Sequence, residues 1–299
     1  MGQNRVDKHQ YSVWPAPAKI NLFLHVTSRR SDGYHELQTL FQLLDWGDEI
    51  RIRRTSQSQI SRMSADYCVP ESDDLAIRAA RALQRACGCN SGAEIGVKKN
   101  TPLGSGMGGG SSDAATVLLA LNRLWDCGLS LAELSGIGLK LGADVPVFVQ
   151  GCSALATGIG DLLKPVELGA REYVLIFPDF SMSTREVFGD PGLKRDSAPI
   201  TLHQALSGQG RNDCEILVGK RFPEFLKILQ ALKKWGPAMM TGTGSGIFIP
   251  MQDKKSAMSA AEEMKSLYNV RAVSGVDRSP VHEILDGKEI KLLGRRQVG

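Results

Sequence analysis

Residues 101–113 read Thr-Pro-Leu-Gly-Ser-Gly-Met-Gly-Gly-Gly-Ser-Ser-Asp, and an amphipathic pattern begins directly behind them. Five of the seven positions from 104 to 110 are glycine (Gly104, Gly106, Gly108, Gly109, Gly110), so side chains are missing where a backbone could curl around a ligand. Ser111 and Ser112 follow as good N-cap residues, and Ala114, Val117, Leu118, Leu121 and Leu124 recur at helical spacing. A glycine loop feeding a helix N-terminus presents unpaired N–H groups and the positive end of the helix dipole, a combination that suits phosphate. A flexible linker seldom runs straight into so well capped a helix.

Outward from the loop, strands and helices mix without the steady alternation of a doubly wound sheet. From Ala18 to Val26 the chain alternates, with Ile20, Leu22, Leu24 and Val26 on one face and Lys19, Asn21, Phe23 and His25 on the other, which predicts a half-buried strand. Asp32-Gly33 marks a turn, and residues 37–44 and 50–53 predict two further strands. A helix over 72–87 and a strand over 94–98 lead into the loop. Behind the loop helix, Ser130-Leu-Ala-Glu133 is a capping box opening a second helix that should stop near Gly142. Asp144 then falls just past a helix end, with Pro146 expected to keep the chain extended.

The texture shifts around residues 160–170. Beyond it come a strand at 173–177, a capping box at Ser183-Thr-Arg-Glu186, a helix over 224–235, a second glycine turn over 241–246, a helix over 254–267 and a strand at 270–273. The pattern predicts an α+β chain of two lobes, 12–165 and 166–287, each with helices on a largely antiparallel sheet. Polar tails occupy 1–11 and 288–299.

A chain of 299 residues with 42% hydrophobic and 23% charged residues can bury a sizeable core. The net charge of +4 is mild and its basic residues are dispersed, which speaks against nucleic acid and suits a polyanionic small molecule. Six cysteines without paired spacing read as reduced thiols. No apolar run predicts a signal core or membrane helix, so the expectation is a cytoplasmic protein with no membrane partner, a monomer or weak homodimer.

Three generic glycine motifs fail on context. Gly110 is followed by Ser111, so the lysine of a P-loop is missing. Gly104-Ser-Gly106-Met-Gly108-Gly109 satisfies G-x-G-x-x-G literally, but its helix leads to another helix rather than to a strand ending in an acid. Neither H-R-D nor D-F-G occurs, as a protein kinase would require.

The stretch from Pro102 to Ala115 instead resembles the phosphate loop of the GHMP kinases. Pro15-Ala-Pro-Ala-Lys-Ile-Asn-Leu-Phe-Leu resembles that family's first motif. Arg29-Arg-Ser-Asp-Gly-Tyr-His-Glu-Leu, Leu141-Gly-Ala-Asp-Val-Pro-Val-Phe and Thr241-Gly-Thr-Gly-Ser-Gly resemble one branch of it, which phosphorylates a cytidine-diphosphate-linked methylerythritol. The resemblance implies a two-lobed fold, with a ribosomal-S5-domain-2-like ATP-binding lobe, a ferredoxin-like substrate-side lobe and the active site between them. It implies ATP and Mg²⁺ as cofactors, with the metal ligands unassigned. Another small alcohol as substrate, or a dinucleotide-dependent oxidoreductase, are the alternatives.

The same resemblance implies roles for individual residues. Asp144 accepts the proton of the substrate hydroxyl, and Lys19 keeps that carboxylate ionised and steadies developing charge. Asn21 shares the strand face with Lys19. Tyr34 and His35 bind the cytidine part, with Thr184 and Phe188 contributing from the second lobe and Gly242 closing over the site. Nucleotide contacts fall to Pro102, Leu103, Gly104, Ser105, Gly106, Met107, Gly108, Gly109, Gly110, Ser111 and Ser112. Lys99 and Asp74 lie on the adenosine side; Asp74 stands where the family often has Asn, and an ionised carboxylate can only accept.

Overall fold

Two long strands organise the molecule. The computed structural model describes residues 10–63 and 69–294. β1 (Tyr11–Arg29) and β2 (His35–Thr55) pair antiparallel across the turn at Asp32-Gly33. The two strands expected at 37–44 and 50–53 are therefore one, because residues 47–49 stay paired opposite 15–17. β1 is not half-buried as its alternation predicts: Lys19, Asn21, Phe23 and His25 are all buried. Register shifts near residues 17–19, 21–24 and 26–28 bend the strand, and Phe23 packs into a second cluster with Leu40 and Leu168.

The first lobe continues with β3 (Ile60–Arg62), α1 (Leu75–Cys87), β4 (Gly92–Lys98), α2 (Gly109–Leu124), α3 (Leu131–Leu139), α4 (Val145–Gln150), β5 (Ala154–Thr157) and β6 (Leu162–Pro165). The second contains β7 (Arg171–Phe177), α5 (Thr184–Gly189), α6 (Leu202–Leu206), α7 (Glu215–Arg221), α8 (Pro223–Leu232), β8 (Met239–Met240), β9 (Ile247–Met251), α9 (Lys254–Met264) and β10 (Asn269–Val276). α10 (Pro280–Leu285) and β11 (Lys291–Leu293) follow. The strands run in the order β11-β1-β2-β10-β7-β9-β8, with β4 and β5 also on β2. The two lobes share this sheet through a short ladder, Leu44 opposite Gly275 and Leu43 opposite Val276.

The core follows the helical periodicities. Val117, Leu118 and Leu121 of α2 pack with Ile77, Ala80 and Leu83 of α1 over Trp14, Ile50 and Ile52. A separate core joins Val174, Ile176, Ile247 and Ile249 to Phe225, Ala257 and Met264. Both sets are fully buried or nearly so, which makes burial of apolar area the main stabilising term in each lobe.

Three expectations about the ends and joints change. Val281 and Ile284 of α10 belong to the first lobe's core, and β11 pairs with residues 11–13 of β1. Residues 291–293 are thus part of the sheet rather than a tail, and the stretch up to 287 does not stay in the second lobe. Val145–Gln150 is a helix, not an extended segment, because proline in a first helical turn forfeits no hydrogen bond. Cys87, Cys89, Cys127, Cys152 and Cys214 are free; Cys68, residues 1–9 and residues 295–299 lie outside the described residues. Among the described residues no helix is long and apolar enough to cross a membrane.

Candidate active site

Between the lobes lies a cavity of about 440 Å³, walled by the glycine loop, β1, β2, residues 142–144, the turn at Ile159-Gly160, Thr184, Phe188 and the second glycine turn. The loop's alternation has a backbone cause. Gly104, Gly106 and Gly108 adopt φ of 70°, 72° and 72°, left-handed values that turn the chain at every second residue. At Gly108 a Cβ would also meet the Phe148 ring at 2.9 Å and Lys19 Cε at 3.1 Å. Between these glycines, Met107 is fully buried in a cluster with Ala18, Ile20 and Leu44, so the loop is pinned to the sheet from inside. Leu103 stays exposed, while Ser105 and Gly104 accept from Gly246 N and Ser245 N. The two glycine turns are therefore stitched to each other.

The helix behind the loop starts earlier than its serines suggest. Gly108 is the N-cap of α2, and Gly109, Gly110, Ser111 and Ser112 form its first turn. Gly109, Gly110 and Ser111 face the cavity. Ser112 does not: fully buried, it donates to the Pro17 carbonyl at 2.6 Å, and one turn later Thr116 donates to Pro15 at 3.3 Å. The expectation that Ser112 touches phosphate is corrected to a docking bond between α2 and β1. Ser112→Ala should lower stability by about 1 kcal/mol, read from urea unfolding, with kcat close to wild type. A loss of kcat without loss of stability would return Ser112 to the phosphates.

Lys19 sits at the centre. Its ammonium donates to Asn21 Oδ1 at 2.6 Å and the Gly106 carbonyl at 3.0 Å, and pairs with Asp144 Oδ2 at 3.3 Å. Three donors thus meet three acceptors, with the Phe41 ring 5.2 Å away beneath them. Asn21 is itself fixed, donating through Nδ2 to Thr39 at 2.8 Å and accepting at Oδ1 from Thr241 at 3.3 Å. It lies on the cavity wall, but its amide is engaged in orienting Lys19. Asp144 begins α4 without making a capping bond, and its side chain is 36% exposed, open toward the cavity.

On the nucleotide side, Lys99 reaches the cavity wall, yet its ammonium is held by Asp48 and, at 2.8 Å, by Asp113. Burial alone would lower the lysine's pKa; the charges of Asp113 and Asp48 outweigh it and raise it. Asp48 also accepts from the backbone of Asn100 and Thr101 at 2.6 and 2.7 Å. Burial pushes the Asp113 carboxyl up to about 8, and its second oxygen has no partner. The folded state therefore keeps a proton on Asp113 that the unfolded chain releases near pH 4, so this group's contribution falls as pH rises from about 4 to about 8. Asp113→Asn should remove that slope and raise stability at pH 8 by about 1–3 kcal/mol, measured as urea midpoints across pH. An unchanged slope would exclude Asp113 as its source.

Asp74 is elsewhere than the sequence reading puts it. Its carboxylate caps α1, accepting from Ala76 N at 3.0 Å, and pairs with Arg62 at 3.5 Å. Leu75, not Asp74, lies on the cavity wall. The assignment of Asp74 to adenine is corrected to a helix cap.

The aromatic end is also rearranged. Tyr34 is 60% exposed on its turn and His35 only 7%, and Phe188 stacks on the His35 ring at 5.2 Å and 27° rather than facing Tyr34. Thr184 shares a 3.1 Å hydrogen bond with Thr243, tying α5 to the second glycine turn where Gly242 meets the loop. Sequence reasoning missed Thr39, Phe41, Asp48, Asp113 and the Ile159-Gly160 turn. Thr39 and Phe41 were findable, two apart on β2, had that strand been read as continuous; the others carry no local signal. Among the described residues, no three His, Cys, Asp or Glu side chains gather as a metal site.

Comparison with known proteins fits this geometry. Residues 74–152 match the GHMP kinases N terminal domain, and residues 194–270 the GHMP kinases C terminal. The chain is 50% identical over 276 residues to a 4-diphosphocytidyl-2-C-methyl-D-erythritol kinase of Halorhodospira halophila, covering 91% of this chain and 96% of that one. It is 47% identical over 271 residues to the enzyme of the same name from Shewanella oneidensis, covering 90% and 95%. A crystal structure of a 4-(cytidine 5'-diphospho)-2C-methyl-D-erythritol kinase superposes with a TM-score of 0.77 at 33% identity, over 88% of this chain and 98% of that one. Homoserine kinase from Cytophaga hutchinsonii shares the fold, with a TM-score of 0.64 at 16% identity over 98% and 100%.

Proposed function

The chain belongs to the GHMP kinase family, and on that premise we propose that it transfers the γ-phosphoryl group of ATP to the 2-hydroxyl of 4-diphosphocytidyl-2-C-methyl-D-erythritol. The products are the 2-phosphate and ADP, on the route to isoprenoid precursors. The observation that carries the reading is the Lys19–Asp144 pair at 3.3 Å, set in the same cavity as the N-terminus of α2.

Phosphoryl transfer to an alcohol needs the phosphates held, the hydroxyl aligned and the developing charge neutralised. The left-handed loop and the first turn of α2 hold phosphate through backbone N–H groups. Asp144 takes the hydroxyl proton as oxygen attacks phosphorus. Lys19, fixed by Asn21 and Gly106, keeps Asp144 ionised beforehand and offsets negative charge in the transition state. A magnesium ion carried on nucleotide phosphates needs only one or two protein oxygens, and the Ser111 hydroxyl on the cavity wall fits that need. When bound it would supply charge neutralisation at the transferred phosphate. Phe188 lines the cavity, His35 stacks against it and Tyr34 is exposed on the neighbouring turn; we assign the cytidine part of the substrate to this aromatic end. ATP and a hydrophilic diphosphate substrate suit a cytoplasmic enzyme.

The test supplies ATP and Mg²⁺ with the cytidyl substrate, mevalonate or homoserine in turn and follows ADP. Release with the cytidyl compound alone is expected; turnover of mevalonate without it would overturn the substrate assignment.

A further inference from the structure

Arg195, between α5 and α6, reaches back to the first lobe and spends four of its five guanidinium N–H groups on fixed partners. Nε donates to His35 Nε2 at 2.8 Å, one terminal nitrogen to the Leu193 carbonyl at 3.0 Å, and the other to the carbonyls of Phe188 at 3.0 Å and Asp190 at 2.6 Å. An arginine Nε–H can only donate, so His35 Nε2 must accept. A ring nitrogen that accepts carries no proton. His35 is therefore neutral with its proton on Nδ1, and Nδ1 has no hydrogen-bond partner among the described residues.

We propose that Arg195 is a positioning and specificity-determining residue: by occupying Nε2 it fixes His35 as a donor-only group at Nδ1, which selects cytosine over uracil. The proposal rests on the reading that His35 meets the substrate's base. Cytosine presents two adjacent acceptors, N3 and O2, on its pairing edge, whereas uracil places an N–H at N3. A free imidazole exchanges tautomers and can meet either edge, so it discriminates poorly; a locked one does not. Phe188 stacked on the same ring, and its carbonyl bound to the same arginine, hold the ring plane as well as the tautomer. Burial and the cations of Arg195 and Arg29 also keep the ring's pKa below its ordinary value, while neighbouring Glu36 pairs with Arg30 instead. The neutral ring, with Nε2 accepting from Arg195, thus persists as pH falls.

The experiment reads the wild-type ring directly and then the variant. Nitrogen NMR of His35 should show a protonated Nδ1 and an accepting Nε2, and CMP should perturb that ring. Arg195→Met should populate both tautomers and reduce the ratio of kcat/KM for cytidine- over uridine-diphosphate-linked substrate by about tenfold, mainly through KM. A protonated Nε2 in the wild type overturns the proposal without needing any variant, and so does an unchanged base preference in Arg195→Met. If CMP perturbs His35 while either of those results holds, the base site stands and only the role of Arg195 fails. If CMP leaves His35 untouched, both fail.

Discussion

Asp144→Asn should lower kcat by about 10²–10⁴-fold while leaving ATP affinity nearly unchanged, the range expected when a general base is removed. The substitution keeps the shape of the side chain and takes away only its capacity to accept a proton. Little else depends on the carboxylate: it makes no capping bond to α4, and Lys19 retains Asn21 and Gly106 when the charge of Asp144 is gone. Stability should therefore change little, and the loss should appear in kcat. Steady-state ADP release gives the rate, and calorimetric titration with nucleotide gives the affinity. A variant that turns over at near-normal rate would remove Asp144 from proton transfer and leave Lys19 as the remaining group at the hydroxyl.

Gly106→Ala should damage both folding and nucleotide binding. A Cβ there would fall well inside contact with the backbone carbonyl of Thr241 and 3.2 Å from Gly244, and the residue already has φ of 72°. Neither neighbour is the tip of a flexible side chain, so the loop and the second glycine turn must separate. The left-handed conformation alone disfavours alanine by about 1–2 kcal/mol, and the overlap adds about 1–3. We expect unfolding free energy to fall by about 2–5 kcal/mol and the dissociation constant for ATP to rise by tenfold or more. The Gly106 carbonyl also anchors Lys19, so kcat should fall with it. Normal ATP affinity in a folded variant would show that the loop tolerates displacement and is not the phosphate holder.

These outcomes bear on how much the chain reveals before it folds. Helical spacing in α1 exposes the first lobe and in α8 and α9 the second, because burial on one face imposes a period that composition cannot hide. The capping boxes at Ser130 and Ser183 are equally readable, being local hydrogen-bond chemistry. Long-range partners are not. Ser112 has the composition of an N-cap, but the Pro17 carbonyl, where the register of β1 on β2 shifts, claims it from 95 residues away. Asp74 resembles a nucleotide ligand in sequence, yet capping α1 is the nearer use for its oxygen. Lys99 gives no sign of the two carboxylates that surround it, because Asp48 arrives from β2 and Asp113 from α2. The Lys19–Asp144 pair was legible through its motifs; the residues that hold the pair in place were not.

The return of α10 and β11 to the first lobe has a consequence for biosynthesis. Val281 and Ile284 fill a core begun by Trp14, and the outer strand beside residues 11–13 arrives only with residues 291–293. As the chain leaves the ribosome, the second lobe emerges whole while the first still lacks its last helix and its edge. The nucleotide-binding half is started first and finished last, so a nascent chain cut short anywhere before residue 280 carries an exposed apolar seam and an open strand for chaperones to recognise.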